Sequence, residues 1–300
     1  MTKQLNVLIL GYGEMGHAMQ CLLEKKHRLD IWEKYPQAGF ESVVLEDAVT
    51  QADVILFCLH VNPHREVAEQ IAPHIKHTCL CLSIAKGLDE AGQTAAQIFD
   101  DVFSSEQSFA LLYGPMISEE IRAGRPAFAQ LGSEELHLYE RVSELFHDTG
   151  LYIEHSSDIT GISWSVILKN VYAMAFGMAD ELRLGDNMRG FLAVTALHEL
   201  DQIVRKMGGQ SGSPFHLAGL GDLITTATSE DSHHHEVGRM LARGERADIE
   251  GEGVHTLEMV VKHQLFNMDR YPLFALIHDV VSNPGDVREK INVYLKQVYG

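Results

Sequence analysis

Residues 5–16 read LNVLILGYGEMG, and the reading of this stretch decides the fold. The apolar run Val7 to Leu10 stops at Gly11, and glycine recurs at Gly13 and Gly16. From Met15 the apolar spacing turns helical: Met15, Ala18, Met19, Leu22 and Leu23 fall at i, i+3, i+4, i+7 and i+8. A buried parallel strand therefore runs into an amphipathic helix through a glycine turn. Gly11 permits the tight turn, Gly13 lets a pyrophosphate approach the backbone, and Gly16 lets the helix sit close to the sheet. The open N–H groups of the helix start then face the ligand's negative charge. Glu14 and Met15, inside the turn, join the three glycines as cofactor-binding candidates.

A second short strand, around Leu29 to Trp32, ends at Glu33, twenty-two residues after Gly11. At that spacing an acid hydrogen-bonds the adenosine ribose hydroxyls of NAD. Lys34, beside it, offers an ammonium to the extra phosphate of NADP, which Glu33 would repel. The expected cofactor is NAD, with NADP left open.

Three hundred residues suggest two domains, each large enough for its own core. With 42 Asp and Glu against 24 Lys and Arg, the formal net charge is −18. This excess, with no basic stripe, argues against nucleic acid as a partner. Any anionic substrate must be drawn in by local positive charge, so single lysines become informative. The N-terminus MTKQLNVLIL has no signal-peptide pattern. No apolar stretch is expected to approach the ~20 residues that span a bilayer. Cys21, Cys58, Cys79 and Cys81 read as buried free thiols in a reducing compartment, which makes the protein cytoplasmic.

Up to about residue 158 strands alternate with helices. Strand candidates recur at 54–59, 79–84, 109–113, 127–131 and 151–154, with helical segments including 64–75 and 89–100. That pattern predicts an α/β fold: a Rossmann-type, doubly wound, mostly parallel sheet over 1–158, binding the dinucleotide. From 159 onward strand signals vanish. Ile167, Val171, Met174 and Met178 mark a long buried helix over 160–181. Further helices are expected near 188–207, 234–243, 254–267 and 271–281, and Pro284 separates the last from a C-terminal helix. Residues 159–300 thus read as an all-helical domain.

Ligands of open parallel sheets bind beyond the carboxyl ends of the strands. Lys86 and Gly114 each follow a predicted strand, and Asp222 sits in a glycine-rich turn, AGLGDL. Lys169 is a charged residue on an otherwise apolar helix. Spacing leaves two readings open: a lysine that snorkels to solvent, or an amine eased toward deprotonation by partial burial and able to take a hydroxyl proton. Asp222 likewise reads either as a turn residue or as the group that orients that amine.

Taken together, the segments resemble the NAD(P)-dependent glycerol-3-phosphate dehydrogenases. The matching pieces are GYGEMG at 11–16, SIAKGL at 83–88, GPMISEEIRAGRPA at 114–127, LKNVYAMAFGMADELRLGDN at 168–187, AGLGDLITTATSEDS at 218–232 and EGV at 252–254. The resemblance implies that Lys169 accepts the proton of the substrate's secondary hydroxyl and that Asp222 contacts the substrate. It further implies that Lys86 touches substrate and cofactor, Gly114 the substrate through its backbone, and Glu252 the cofactor region. Ser232 opens the family's Ser-Arg-Asn substrate motif. A phosphorylated small-molecule substrate, a homodimer, a substrate and dimerisation role for residues 159–300 and a place in glycerophospholipid metabolism are implied by the same likeness.

The departures are specific. His233 and His234 stand where the family has Arg-Asn, Met116 where it has Ser or Ala, and Thr195 where an arginine is usual. Arginine binds phosphate with an always-charged planar fork, which histidine lacks. His233 and His234 stay substrate-binding candidates, with a solvated helix start expected for two of the three histidines at 233–235. No metal site is expected, because consecutive helical residues diverge by about 100°. Two other readings remain: a dehydrogenase of the same fold acting on a different hydroxy acid or polyol derivative, and a nucleotide-binding sensor or partner protein without turnover.

Overall fold

Strand β1 (Asn6–Leu10) buries side chains on both faces, Val7 and Ile9 into one apolar layer and Leu8 and Leu10 into the other. A strand covered twice belongs in the middle of a sheet flanked by helices, and a parallel sheet is the arrangement that supplies them. The computed structural model describes residues 3–229, 232–245, 249–283 and 285–300. Pro284, and Glu230 and Asp231 of the AGLGDLITTATSEDS block, lie outside the described residues. Two compact units emerge, Met1–Asp89 with Gln93–Ile159, and Glu90–Gly92 with Thr160–Gly300.

The first unit is a seven-stranded sheet in the order β2-β1-β3-β4-β5-β6-β7. The remaining strands are β2 (Arg28–Trp32), β3 (Val54–Phe57), β4 (Leu80–Ser83), β5 (Phe109–Tyr113), β6 (Ala127–Gly132) and β7 (Leu151–Ser156). All neighbours pair parallel except β5 and β6. Strand order reverses at β1, which lies between β2 and β3, so the crevice at their carboxyl ends is the place for a ligand. Helices α1 (Glu14–Leu23), α2 (Leu45–Gln51), α3 (His64–Ile71), α4 (Ala95–Val102), α5 (Ser118–Arg122) and α6 (Leu136–Leu145) complete the unit. Helix α4 starts six residues later than the expected 89. Thr94 accepts from the Gln97 N–H at 3.3 Å while the Gln97 side chain accepts from the Thr94 N–H at 2.9 Å, a reciprocal cap that sets the start.

The second unit is helical throughout its described residues: α7 (Ile159–Glu181), α8 (Asp186–Lys206), α9 (Asp222–Thr228), α10 (His233–Arg243), α11 (Glu252–His263), α12 (Pro272–Ser282) and α13 (Val287–Tyr299). Helix α7 is buried on every side from Gly161 to Ala179, as an apolar helix inside a bundle must be. Contrary to the sequence expectation, it is long and apolar enough to cross a membrane, with a mean hydropathy of 1.2. Burial of 89% of that apolar window inside the fold makes it a core helix. Helix α11 ends at Gln264, which takes a left-handed conformation with φ 50°, short of the expected 267.

The thiols are free, and Cys79 and Cys81 are buried. Cys21 is exposed, against expectation, because Ala18, Met19, Leu22 and Leu23 form the inward face of α1 and residue 21 points away from them.

One buried acid organises the helical unit. Glu199 on α8 accepts from the Leu273 and Phe274 N–H groups at 2.7 and 2.9 Å and from the Tyr172 hydroxyl at 2.9 Å. It thereby caps the first turn of α12, whose N–H groups have no carbonyl one turn back. Burial raises its pKa, while the three donors pull the other way. Glu199→Gln keeps the volume but puts an amide NH2 where an acceptor is needed. A loss of about 1–3 kcal/mol is expected, read as a shift of the urea unfolding midpoint with its slope unchanged.

Candidate active site

The glycine turn uses its three glycines differently. Gly11 has φ +91°, and a Cβ there would lie 2.6 Å from the Leu59 side chain and 2.8 Å from the Cys58 carbonyl oxygen. A Cβ on Gly16 would lie 2.2 Å from the Gly11 carbonyl oxygen, so the close approach is to the turn itself rather than to a neighbouring strand. A Cβ on Gly13 would meet nothing within 4 Å, which leaves open space where a pyrophosphate would approach. Gly13 caps α1, and the N–H groups of Glu14, Met15 and Gly16 follow in its first turn. The Glu14 carboxylate points to Arg122 at 3.1 Å, and Met15 packs against the core beneath. The turn is thus shaped to hold a dinucleotide.

Glu33 follows β2 directly. Its two carboxylate oxygens accept from the Tyr12 N–H at 2.8 Å and the Tyr35 N–H at 3.0 Å, and its own N–H donates to Ser42 Oγ at 2.8 Å. The carboxylate is therefore tied to the glycine turn. Lys34 is exposed and bonds Glu66 at 2.7 Å, a hydrogen bond that raises the lysine's pKa. At the same carboxyl end of the sheet, the half-buried Lys86 after β4 donates to the Gly114 carbonyl after β5 at 3.2 Å. Met116 is buried in the layer beneath.

In the second unit, Lys169 on α7 and Asp222 at the first residue of α9 form an ion pair at 3.2 Å, their side chains 6% and 4% exposed. The lysine does not snorkel, and the aspartate is a buried helix-start residue. Lys169 Nζ also donates to Thr226 Oγ1 at 2.6 Å, and that hydroxyl donates to the Asp222 carbonyl at 2.7 Å. The glycine-rich stretch before Asp222 is a π-helical turn, Leu217–Gly221, rather than an open loop. Sequence reasoning missed Thr226. Its signal was the i, i+4 spacing from Asp222, which puts both on one helix face.

Helices α7 and α10 meet at glycines. A Cβ on Gly177 would lie 1.9 Å from the His235 carbonyl oxygen, and one on Gly238 would lie 2.1 Å from the Met174 carbonyl oxygen. This approach places the start of α10 beside α7. Ser232 is its N-cap, accepting from the His235 N–H at 3.4 Å. His233 is exposed and donates from Nε2 to the Glu250 carbonyl at 2.7 Å. His234 lies against Gly253, whose added Cβ would sit 3.1 Å from the ring and 2.8 Å from the Asn170 carbonyl oxygen. Asn170, next to Lys169 and also missed, donates to Glu252 at 3.1 Å. The expectation of two solvated histidines fails at His235, which is buried with Nε2 2.8 Å from Asp180. Burial works against the Asp180 charge, but the hydrogen bonds from Arg189 and His235 outweigh it and hold the carboxyl below its usual range. Thr195 lies on α8. Among the described residues, no group of three His, Cys, Asp or Glu side chains is arranged to hold a metal ion.

A buried ion pair stabilises little, yet removing one partner strands a charge. Lys169→Met and Asp222→Leu should each lose about 3–5 kcal/mol, while the double variant should match or exceed the parent in a urea titration.

Comparison with known proteins agrees with this architecture. Residues 34–138 match the family described as NAD-dependent glycerol-3-phosphate dehydrogenase N-terminus, and residues 158–292 match its C-terminus. The glycerol-3-phosphate dehydrogenase (NAD(P)+) of Synechococcus sp. (strain JA-3-3Ab) is 33% identical over 291 residues, covering 92% of this chain and 91% of that one. That of Nitrosomonas eutropha is 31% identical over 264 residues, covering 80% of each. The crystal structure of glycerol-3-phosphate dehydrogenase from Coxiella burnetii shares the fold with a TM-score of 0.84 at 23% identity, over 98% of this chain and 99% of that one.

Proposed function

The chain belongs to the NAD-dependent glycerol-3-phosphate dehydrogenase family, and we propose that it interconverts glycerol 3-phosphate and dihydroxyacetone phosphate with NAD. The observation that carries this reading is the Lys169–Asp222 pair, 3.2 Å apart and closed off from solvent. A purely binding role has no use for so costly a pair.

When bound, the nicotinamide ring supplies or receives the hydride. Lys169 donates a proton to the substrate's carbonyl oxygen in reduction and takes it back from the hydroxyl in oxidation. Asp222 stabilises the ammonium, and Thr226 fixes the direction of one N–H, so the proton is held ready at Nζ. The N–H groups of Glu14, Met15 and Gly16, with Gly11 and Gly13, hold the pyrophosphate. Glu33 accepts from the ribose. Two backbone N–H groups hold its charge in place, and Lys34 is committed to Glu66, which together support NAD over NADP. Lys86 and Gly114 contact the substrate, and Lys86 the cofactor. Glu252, which accepts from Asn170, contacts the cofactor in this reading, as the family likeness implies. Ser232, His233 and His234 address the substrate's phosphate end.

The family likeness supports a homodimer, and the free thiols suit a reducing, cytoplasmic compartment. A second reading, the same chemistry on another hydroxy acid or polyol derivative, is favoured by His233. Its Nε2 is spent on the Glu250 carbonyl, and an imidazole at that position offers no bidentate fork of the kind the family's arginine supplies.

The test is oxidation of NADH and of NADPH, followed by absorbance, across a dihydroxyacetone phosphate series. Saturable turnover, faster with NADH, is expected. Retained NADH binding without turnover would overturn the substrate assignment. In that case His233→Arg with His234→Asn should restore turnover, if those positions are the cause.

A further inference from the structure

Two polar side chains lie buried in the apolar layer beneath the Lys86 loop, and no step above uses them. His64, the first residue of α3, and Ser83, the last of β4, are both 0% exposed. Phe57 and Phe99 flank the imidazole, with ring centroids 5.1 and 5.8 Å away. Polar groups survive such burial only when hydrogen-bonded. Here the bonds run in one fixed direction.

The His64 Nδ1 lies 2.8 Å from the His60 carbonyl oxygen. A carbonyl only accepts, so Nδ1 carries the proton. Burial pushes the imidazole pKa down to about 4, so the ring is neutral near pH 7 and Nε2 offers a lone pair. Ser83 Oγ, 2.9 Å from Nε2, therefore donates to it. With its proton so placed, the Ser83 oxygen accepts from the Ala85 N–H at 3.2 Å. The Ile84 N–H bonds the Phe57 carbonyl at 3.3 Å. The next residue is Lys86, whose ammonium reaches the Gly114 carbonyl.

We propose that His64 is a positioning residue: acting through Ser83, it fixes the backbone at Ala85 and so the direction in which Lys86 leaves the sheet. The proposal rests on the reading of Lys86 as a substrate- and cofactor-contacting residue. An apolar ring would fill the space between Phe57 and Phe99 without burying polar atoms. What the imidazole adds is an acceptor that cannot turn away, because its other nitrogen is locked to a carbonyl. A serine hydroxyl alone rotates freely; against that acceptor it has one orientation, with its lone pairs toward Ala85.

The two ring nitrogens can be tested apart. His64→Gln keeps an acceptor where Nε2 sits, and His64→Asn keeps a donor where Nδ1 sits. Each variant is read by hydrogen–deuterium exchange at the Ala85 amide, by KM and kcat with dihydroxyacetone phosphate and NADH, and by thermal midpoint. His64→Gln should behave as the parent in exchange and kinetics. His64→Asn should speed Ala85 exchange and lower kcat/KM by about tenfold each, at a thermal midpoint matching that of His64→Gln. In a Lys86→Met background, His64→Asn should cause no further kinetic loss. Equal Ala85 exchange in the Gln and Asn variants would overturn the proposal. So would faster exchange in the Asn variant with unchanged kinetics, where Lys86→Met alone is impaired. Parent-like activity of Lys86→Met would instead overturn the reading of Lys86, with Ala85 exchange still deciding the His64 chain by itself.

Discussion

An ammonium and a carboxylate 3.2 Å apart, both almost sealed from water, constrain much of the helical unit. Taking two charges out of water is costly, and their attraction offsets that cost only when the geometry is held. The geometry is held from several directions. Lys169 sits mid-way along a buried, mostly apolar helix whose nearby polar side chains are engaged elsewhere, Ser165 with the Gly161 carbonyl and Asn170 with Glu252. Asp222 starts its own helix at the end of a π-helical turn, with Thr226 one turn on to complete the ammonium's shell. The glycine contacts between α7 and α10, at Met174 and Gly177, set the start of α10 against α7, and His234 and the Asn170 carbonyl both lie against Gly253. The pair is a poor device for stability, which is in keeping with the proton-transfer role proposed for it.

The first unit answers a different demand, which is to present backbone N–H groups to an anion in a protein of net charge −18. Gly11 and Gly16 have no room for a side chain, whereas Gly13 has room that the protein leaves open. The Glu33 carboxylate locks the turn's conformation by taking the Tyr12 N–H. One acid thus braces the turn through two backbone N–H groups, at the position proposed to meet the ribose.

Much of this was legible in the sequence, for identifiable reasons. The change at Gly11 from an unbroken apolar run to 3.6-residue spacing exposed the β1–α1 unit, because a strand covered on both faces buries every residue while a surface helix buries one stripe. The length of α7 was legible from its apolar stripe. Less visible was whatever depends on contacts distant in sequence. Whether Lys169 was buried or snorkelled turned on Asp222, fifty-three residues away. His235 was read as solvated because nothing local signals Asp180, one helix away. The start of α4 falls at Ala95 rather than 89 because the reciprocal Thr94–Gln97 cap, and not the Asp-Glu-Ala-Gly stretch before it, begins the helix. The His64–Ser83 contact joins a helix start to a strand end nineteen residues on, which no local pattern signals.

Of the family departures, His233 and His234 lie at the start of α10, whereas Met116 is buried in the apolar layer of the sheet. The proposed chemistry depends on Lys169 as the proton carrier. The most direct test pairs NADH titration by fluorescence with steady-state turnover for Lys169→Ala. Nucleotide affinity close to the parent's with turnover down by roughly 10²–10⁴ is the predicted result. Near-parent turnover in that variant would contradict it.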